Sequence, residues 1–145
     1  MQRHIPSPQY WSAESVDWAA QQLGLSYPLS QDWPWIVAKT EDLEKYFRLY
    51  SQLDDHATAP MRIVVLEMIL EAASNGTLST AELQEVWPRI KALLDQDADM
   101  LSTTAQYWCV WEAEEQNLDE EGFRISPYVR KWWRANYPIP SKLEE

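Results

Sequence analysis

The chain has 145 residues, 46% of them apolar and 24% charged, enough for one globular domain spanning 1–145 and too apolar for disorder. Twelve basic against 23 acidic side chains leave a net charge of −11, which repels phosphate backbones and argues against direct nucleic-acid binding. Three glycines are too few for a turn-rich sheet or a phosphate-cradling loop, and one cysteine excludes an internal disulfide and a cysteine-based metal cluster.

Residues 1–10 read as a Pro-punctuated lead-in without periodicity and without the apolar core of a signal peptide. Ser12 is placed to cap a short helix whose Val16, Ala19, Ala20 and Leu23 share a face, with Gly24 as its stop. Tyr27-Pro28 and Trp33-Pro34-Trp35 mark an irregular loop, with one helical turn starting at Pro34. Thr40 caps the next predicted helix, which sets Leu43, Tyr46, Phe47, Tyr50 and Leu53 along one side and ends at Asp54-Asp55-His56.

Pro60 to Ala73 is the longest apolar run. Ile63, Leu66, Met68, Ile69, Leu70 and Ala73 recur at helical spacing, and Val64 and Val65 widen that face. Little more than Arg62, Glu67 and Glu71 is left for water, so this helix is expected at the centre of the fold. Thr58 is its expected N-cap, and Asn75-Gly76 its left-handed stop. Ser79 and Glu82 then match a capping box. Behind it Leu83, Val86, Trp87, Ile90, Leu93 and Leu94 line a helix that Pro88 should kink or split. Asp99 or Ser102 opens another, with Ala105, Trp108 and Cys109 facing inward and Tyr107 and Trp111 beside them. After an acidic connection, Ser126-Pro127 starts a last helix with Tyr128, Val129, Trp132 and Trp133 as its apolar stripe. Tyr137-Pro138-Ile139-Pro140 ends it, and residues 138–145 form a polar tail.

No segment alternates apolar and polar residues over strand length. The expected fold is all-α: a compact bundle of six or seven helices with short connections, stacked antiparallel helix pairs being one arrangement of them. No run reaches the length of a membrane span, so a cytoplasmic protein without membrane contact is expected. The nine tryptophans are either core or partly a binding surface, because tryptophan is favoured at both.

Catalytic chemistry is not visible. Asp95-x-Asp97-x-Asp99 opens like a calcium loop, but Met100 stands where the turn needs glycine and Gln106 where a bidentate Glu belongs. His4 and His56 are isolated, and Cys109 lies between Trp108 and Trp111 without a histidine to activate it, as a buried structural cysteine would. With neither paired histidines nor an isolated buried carboxylate in view, no enzyme activity, metal or cofactor is expected.

The candidate partner-binding site is Glu112, Glu114, Glu115, Asp119, Glu120 and Glu121, with Trp111 at its edge. Six carboxylates within ten residues contain no basic residue among them. They form either a solvated loop neutralised by Arg124, Arg130, Lys131 and Arg134, or a negative platform for a basic protein. Residues 1–123 carry 7 basic and 21 acidic side chains, net −14, whereas 124–145 carry 5 and 2, net +3. The negative field belongs to the body of the chain.

From about Leu43 onward the chain resembles the small helical immunity proteins encoded beside bacterial secreted toxins. The resemblance is carried by Trp87-x-x-Ile90-x-x-Leu93-Leu94, Thr104-x-x-Tyr107-Trp108, the acidic stretch, and Phe123-x-Ile125-Ser126-Pro127-x-x-Arg130. It covers about two-thirds of the chain and rests on packing and capping positions, and it leaves the first forty residues unexplained. It implies a non-enzymatic inhibitor of one cognate toxin, often a nuclease with a basic cleft. The rival expectation is a general helical adaptor anchored by exposed tryptophans.

Overall fold

The computed structural model of the protein describes residues 3–25 and 32–140, and among these every regular element is helical. In chain order the helices are α1 (Ala13–Leu23), α2 (Trp33–Val37), α3 (Leu43–Ser51), α4 (Ala59–Ser74), α5 (Thr80–Gln96), α6 (Ala98–Cys109), α7 (Leu118–Glu121) and α8 (Ser126–Asn136). The expected six or seven correspond to the long ones; α2 and α7, of 5 and 4 residues, are little more than single turns. Tyr27-Pro28 and the tail beyond Pro140 lie outside the described residues.

Local signals set several boundaries. At the start of α1, Ser12 and Ser15 exchange side-chain-to-backbone hydrogen bonds of 2.9 and 3.1 Å. The helix ends on Gly24 at φ 66°, where a side chain would be strained. Ser79 and Glu82 form the expected reciprocal box, at 2.8 and 3.1 Å.

Other boundaries differ from expectation. Thr40 opens a short 3-10 turn, and its hydroxyl donates to the Ala72 carbonyl at 2.6 Å instead of capping α3. Thr58 has extended backbone at the start of α4 but makes no side-chain cap. Helix α5 runs through Pro88 unbroken; Pro88 and Gln84 are both exposed, so the carbonyl that proline leaves without a donor lies on the solvent side. Helix α6 starts at Ala98, just past Asp97, rather than at Asp99 or Ser102. Ser126 is the first residue of α8 and not its cap. Its hydroxyl accepts from the Phe123 N–H and donates to the Trp108 carbonyl at 2.6 Å.

Helix α4 is the hub, packed against α1, α2, α3 and α6, while α6 also meets α5 and α8. These are the contacts of a wrapped central helix, not of a row of consecutive pairs. Ile63, Val64, Val65, Leu66, Met68, Ile69 and Leu70 are all buried. The strip expected to face water is not there: Arg62 and Glu67 are 5% and 3% exposed, and Glu71 is half-buried. A helix enclosed on every side takes its charges inside with it, where each needs partners.

Residues 3–10 of the lead-in have no regular structure, yet they are fastened along the body. The Arg3 N–H donates to the Asn136 carbonyl at 2.7 Å, and the Gln9 N–H to the Thr103 hydroxyl at 2.9 Å. It thereby crosses α6 and reaches the end of α8, laying Tyr10 and Trp11 beside the centre of the molecule.

Candidate functional site

Glu67 sits in the middle of α4, and the elements that enclose it supply its partners. The indole N–H of Trp35, from α2, donates to its Oε1 at 2.9 Å. That of Trp108, from α6, donates to the same oxygen at 2.7 Å. The Thr104 hydroxyl is a third donor to the carboxylate. All are neutral, and among the described residues no cation pairs with Glu67. Burial pushes its carboxyl up to about 7, against the opposing pull of the hydrogen bonds from Trp35, Trp108 and Thr104.

Beside this carboxylate lies a pocket of about 220 Å³, walled by Tyr10, Trp11, Trp35, Ile63, Thr103 and Tyr107, with Glu67 also in its lining. The aromatic wall is continuous. Trp11 meets Trp35 edge-on at 5.5 Å, and Trp35 stacks on Tyr107 at 5.4 Å. Tyr10 and Tyr107 are exposed, at 66% and 50%, and form the rim. A shallower groove of about 550 Å³ shares Tyr10, Thr103 and Tyr107 with this pocket and reaches Trp111 and Glu112.

Glu112 begins the acidic stretch, which Arg130 shapes from beneath. The Arg130 side chain is buried and donates to the carbonyls of Cys109 at 2.7 Å, Val110 at 2.5 Å and Ala113 at 2.9 Å. It thus places a positive charge at the C-terminus of α6, where the helix dipole is negative. The turn it organises includes Val110 at φ 52°, a strained conformation for a β-branched residue.

Glu112, Glu114, Glu115, Asp119, Glu120 and Glu121 are all exposed. Arg130 and Arg134 reach Glu115 at 3.3 and 3.0 Å, and the hydrogen bond from Arg134 holds its carboxyl below the usual range. The other five have no basic partner among the described residues. Trp111 departs from expectation: it is 8% exposed, with its ring 4.8 Å from the Arg130 guanidinium and 5.4 Å from that of Arg134. It is a wall of the structure, not a projecting anchor.

The remaining candidates are absorbed by packing. Asp97 accepts from Arg62 at 3.2 Å and from the Tyr50 hydroxyl at 2.7 Å, while Asp95 accepts from the Trp132 indole at 2.8 Å and from Lys91 at 2.9 Å. Two of the three aspartates of the calcium-like pattern thus face cations of the chain itself. Among the described residues no group of three His, Cys, Asp or Glu is placed to hold a metal ion. Cys109 is buried, and burial pushes its thiol up to about 12. His4 and His56 are exposed. No described helix is long and apolar enough to cross a membrane.

Sequence reasoning gave Glu67 to water and therefore missed the isolated buried carboxylate. The available signal was the density of the apolar run around it, which leaves no face free. No family model, no curated protein and no solved structure matches the chain.

Proposed function

We propose that the chain is a non-enzymatic binding protein whose acidic stretch 112–121 docks a basic protein partner. It would act in the manner of an immunity protein that covers the cationic cleft of a cognate toxin such as a nuclease. The observation that carries this reading is the exposure of Glu112, Glu114, Asp119, Glu120 and Glu121 without a basic partner among the described residues. Exposed like charges on one segment create a field that steers an oppositely charged protein and speeds its encounter. The buried guanidinium of Arg130 holds the carbonyls of Cys109, Val110 and Ala113, so the start of the segment is carried on a fixed turn.

Glu67 has the burial of a proton acceptor, but the walls of its pocket contain no histidine, lysine or second carboxylate to complete a catalytic pair. That supports binding over catalysis. An adaptor anchored by exposed tryptophans has less to stand on, since none of the nine is exposed.

The test uses Glu114→Lys, Glu120→Lys and Glu121→Lys together, which moves the net charge from −11 to −5 and leaves Glu115 on its arginines. Wild type and variant are immobilised and exposed to lysate of the source organism at low and high salt, with retained proteins identified by mass spectrometry. The expected result is a basic protein held by the wild type at low salt and lost by the variant. Its association rate, measured by surface plasmon resonance, should fall about tenfold or more. Equal association rates would remove the stretch from the interface.

A further inference from the structure

We propose that the aromatic pocket beside Glu67 binds an organic cation, an alkylammonium group whose charge meets the Glu67 carboxylate and whose carbon atoms lie among Trp11, Trp35 and Tyr107. This goes beyond the partner reading, because it stands on a buried residue of α4 and not on the acidic stretch.

Three observations converge on that ligand class. Glu67 is 3% exposed, lines the pocket, and among the described residues has only neutral donors around it. A buried carboxylate without a countercharge is costly, and it leaves a negative potential in a space of low dielectric. Four of the lining side chains, Tyr10, Trp11, Trp35 and Tyr107, are aromatic rings, whose faces attract cations, and an anion would be repelled by both the rings and Glu67. The volume, about 220 Å³, is below the roughly 300–1,000 Å³ of sites for drug-sized molecules and suits a head group with a short alkyl arm.

Other cations fit less well. A metal ion needs several hard ligands, and here there is one carboxylate. A guanidinium pairs best through two parallel hydrogen bonds to both carboxylate oxygens, and Oε1 already accepts two indole N–H groups. An ammonium group is a compact point charge that needs a single carboxylate lone pair, which it would share with the Thr104 hydroxyl donor. Burial otherwise favours a proton on Glu67, and the ammonium would take that proton's place.

The test is isothermal titration calorimetry of the full chain with n-butylammonium chloride beside 1-butanol, which has the same length and no charge. The amine is expected to bind about tenfold or more tightly than the alcohol. Glu67→Gln keeps the side-chain shape and an oxygen for the indoles, and should abolish that preference, with circular dichroism reporting whether the variant folds. Tyr107→Ala, at the half-exposed rim, is the second variant; it should weaken the amine about threefold or more while the fold is retained. A tripeptide with a central lysine separates two sources of the same chemistry. If it binds as the amine does, the source is a protein side chain; if only the amine binds, the source is a free amine. No preference of the wild type for the amine over the alcohol overturns the proposal. So does an undiminished preference in folded Glu67→Gln, or an unchanged amine affinity in Tyr107→Ala.

Discussion

Arg62 and Glu67 lie five positions apart on α4, are buried to nearly the same degree, and are partnered in opposite ways, although the Arg62 Nε itself has no partner among the described residues. Arg62 has a countercharge, Asp97 at 3.2 Å, and donates also to the Asp54 carbonyl at 2.6 Å. Glu67 has two indoles and a hydroxyl, all neutral. The first arrangement closes the structure on itself by joining α4 to the junction of α5 and α6. The second joins α4 to α2 and α6 equally well, yet among the described residues it leaves the ionised carboxylate without a countercharge beside a pocket. Hydrogen bonds and countercharge are separate requirements of a buried ion, and only a residue that meets the first without the second retains a reason to bind something else.

The largest effect should come from breaking the closed pair. Arg62→Met strands Asp97 and is expected to cost about 3–5 kcal/mol in urea unfolding followed by tryptophan fluorescence. A loss below about 1 kcal/mol would mean that water reaches Asp97 and that the pair is not closed. Ile69→Ala, fully buried on the same helix, should cost about 2–5 kcal/mol and shows what α4 contributes through packing alone.

The open charge should announce itself through pH. Its folded-state value near 7 lies above the ordinary 4.5, so between these the folded chain keeps a proton that the unfolded chain releases. Stability on account of Glu67 must therefore fall as pH rises from about 4.5 to 7 and level off above, by up to about 3 kcal/mol. Unfolding free energies of wild type and Glu67→Gln, compared across that window, should diverge by this amount; parallel profiles would place a countercharge on Glu67 after all. The smallest effect belongs to the exposed carboxylates: lysine at positions 114, 120 and 121 should change stability by no more than about 0.5 kcal/mol each. A larger loss would show that these side chains support the fold instead of facing solvent.

The helices were legible because their signals are local. Ser12, Ser79, Gly24 and the spacing from Leu43 to Tyr50 act within a few residues, and the centrality of α4 follows from its own apolar density. What covers a residue is decided at a distance. Trp35 and Trp108 come to Glu67 from 32 and 41 positions away, and Arg130 from 19 positions beyond Trp111. Hence the local pattern leaves Glu67 and Arg62 to water and sets Trp111 at the edge of a partner site. The exposure of the acidic stretch was readable, because six carboxylates with no basic residue among them have nowhere else to go. Its partial relief came through Arg130 and Arg134 of the basic last helix.

Glu67 is a buried carboxylate without a countercharge among the described residues, and its own titration is the sharpest probe of that isolation. With glutamate labelled at the side-chain carboxyl carbon, the Glu67 resonance is assigned by its disappearance in Glu67→Gln and followed from acid to alkaline pH. A midpoint near 7 is expected, well above the ordinary 4.5, moving downward when n-butylammonium is added. A midpoint at or below the ordinary 4.5 would contradict it, since the carboxylate would then already be held by a cation.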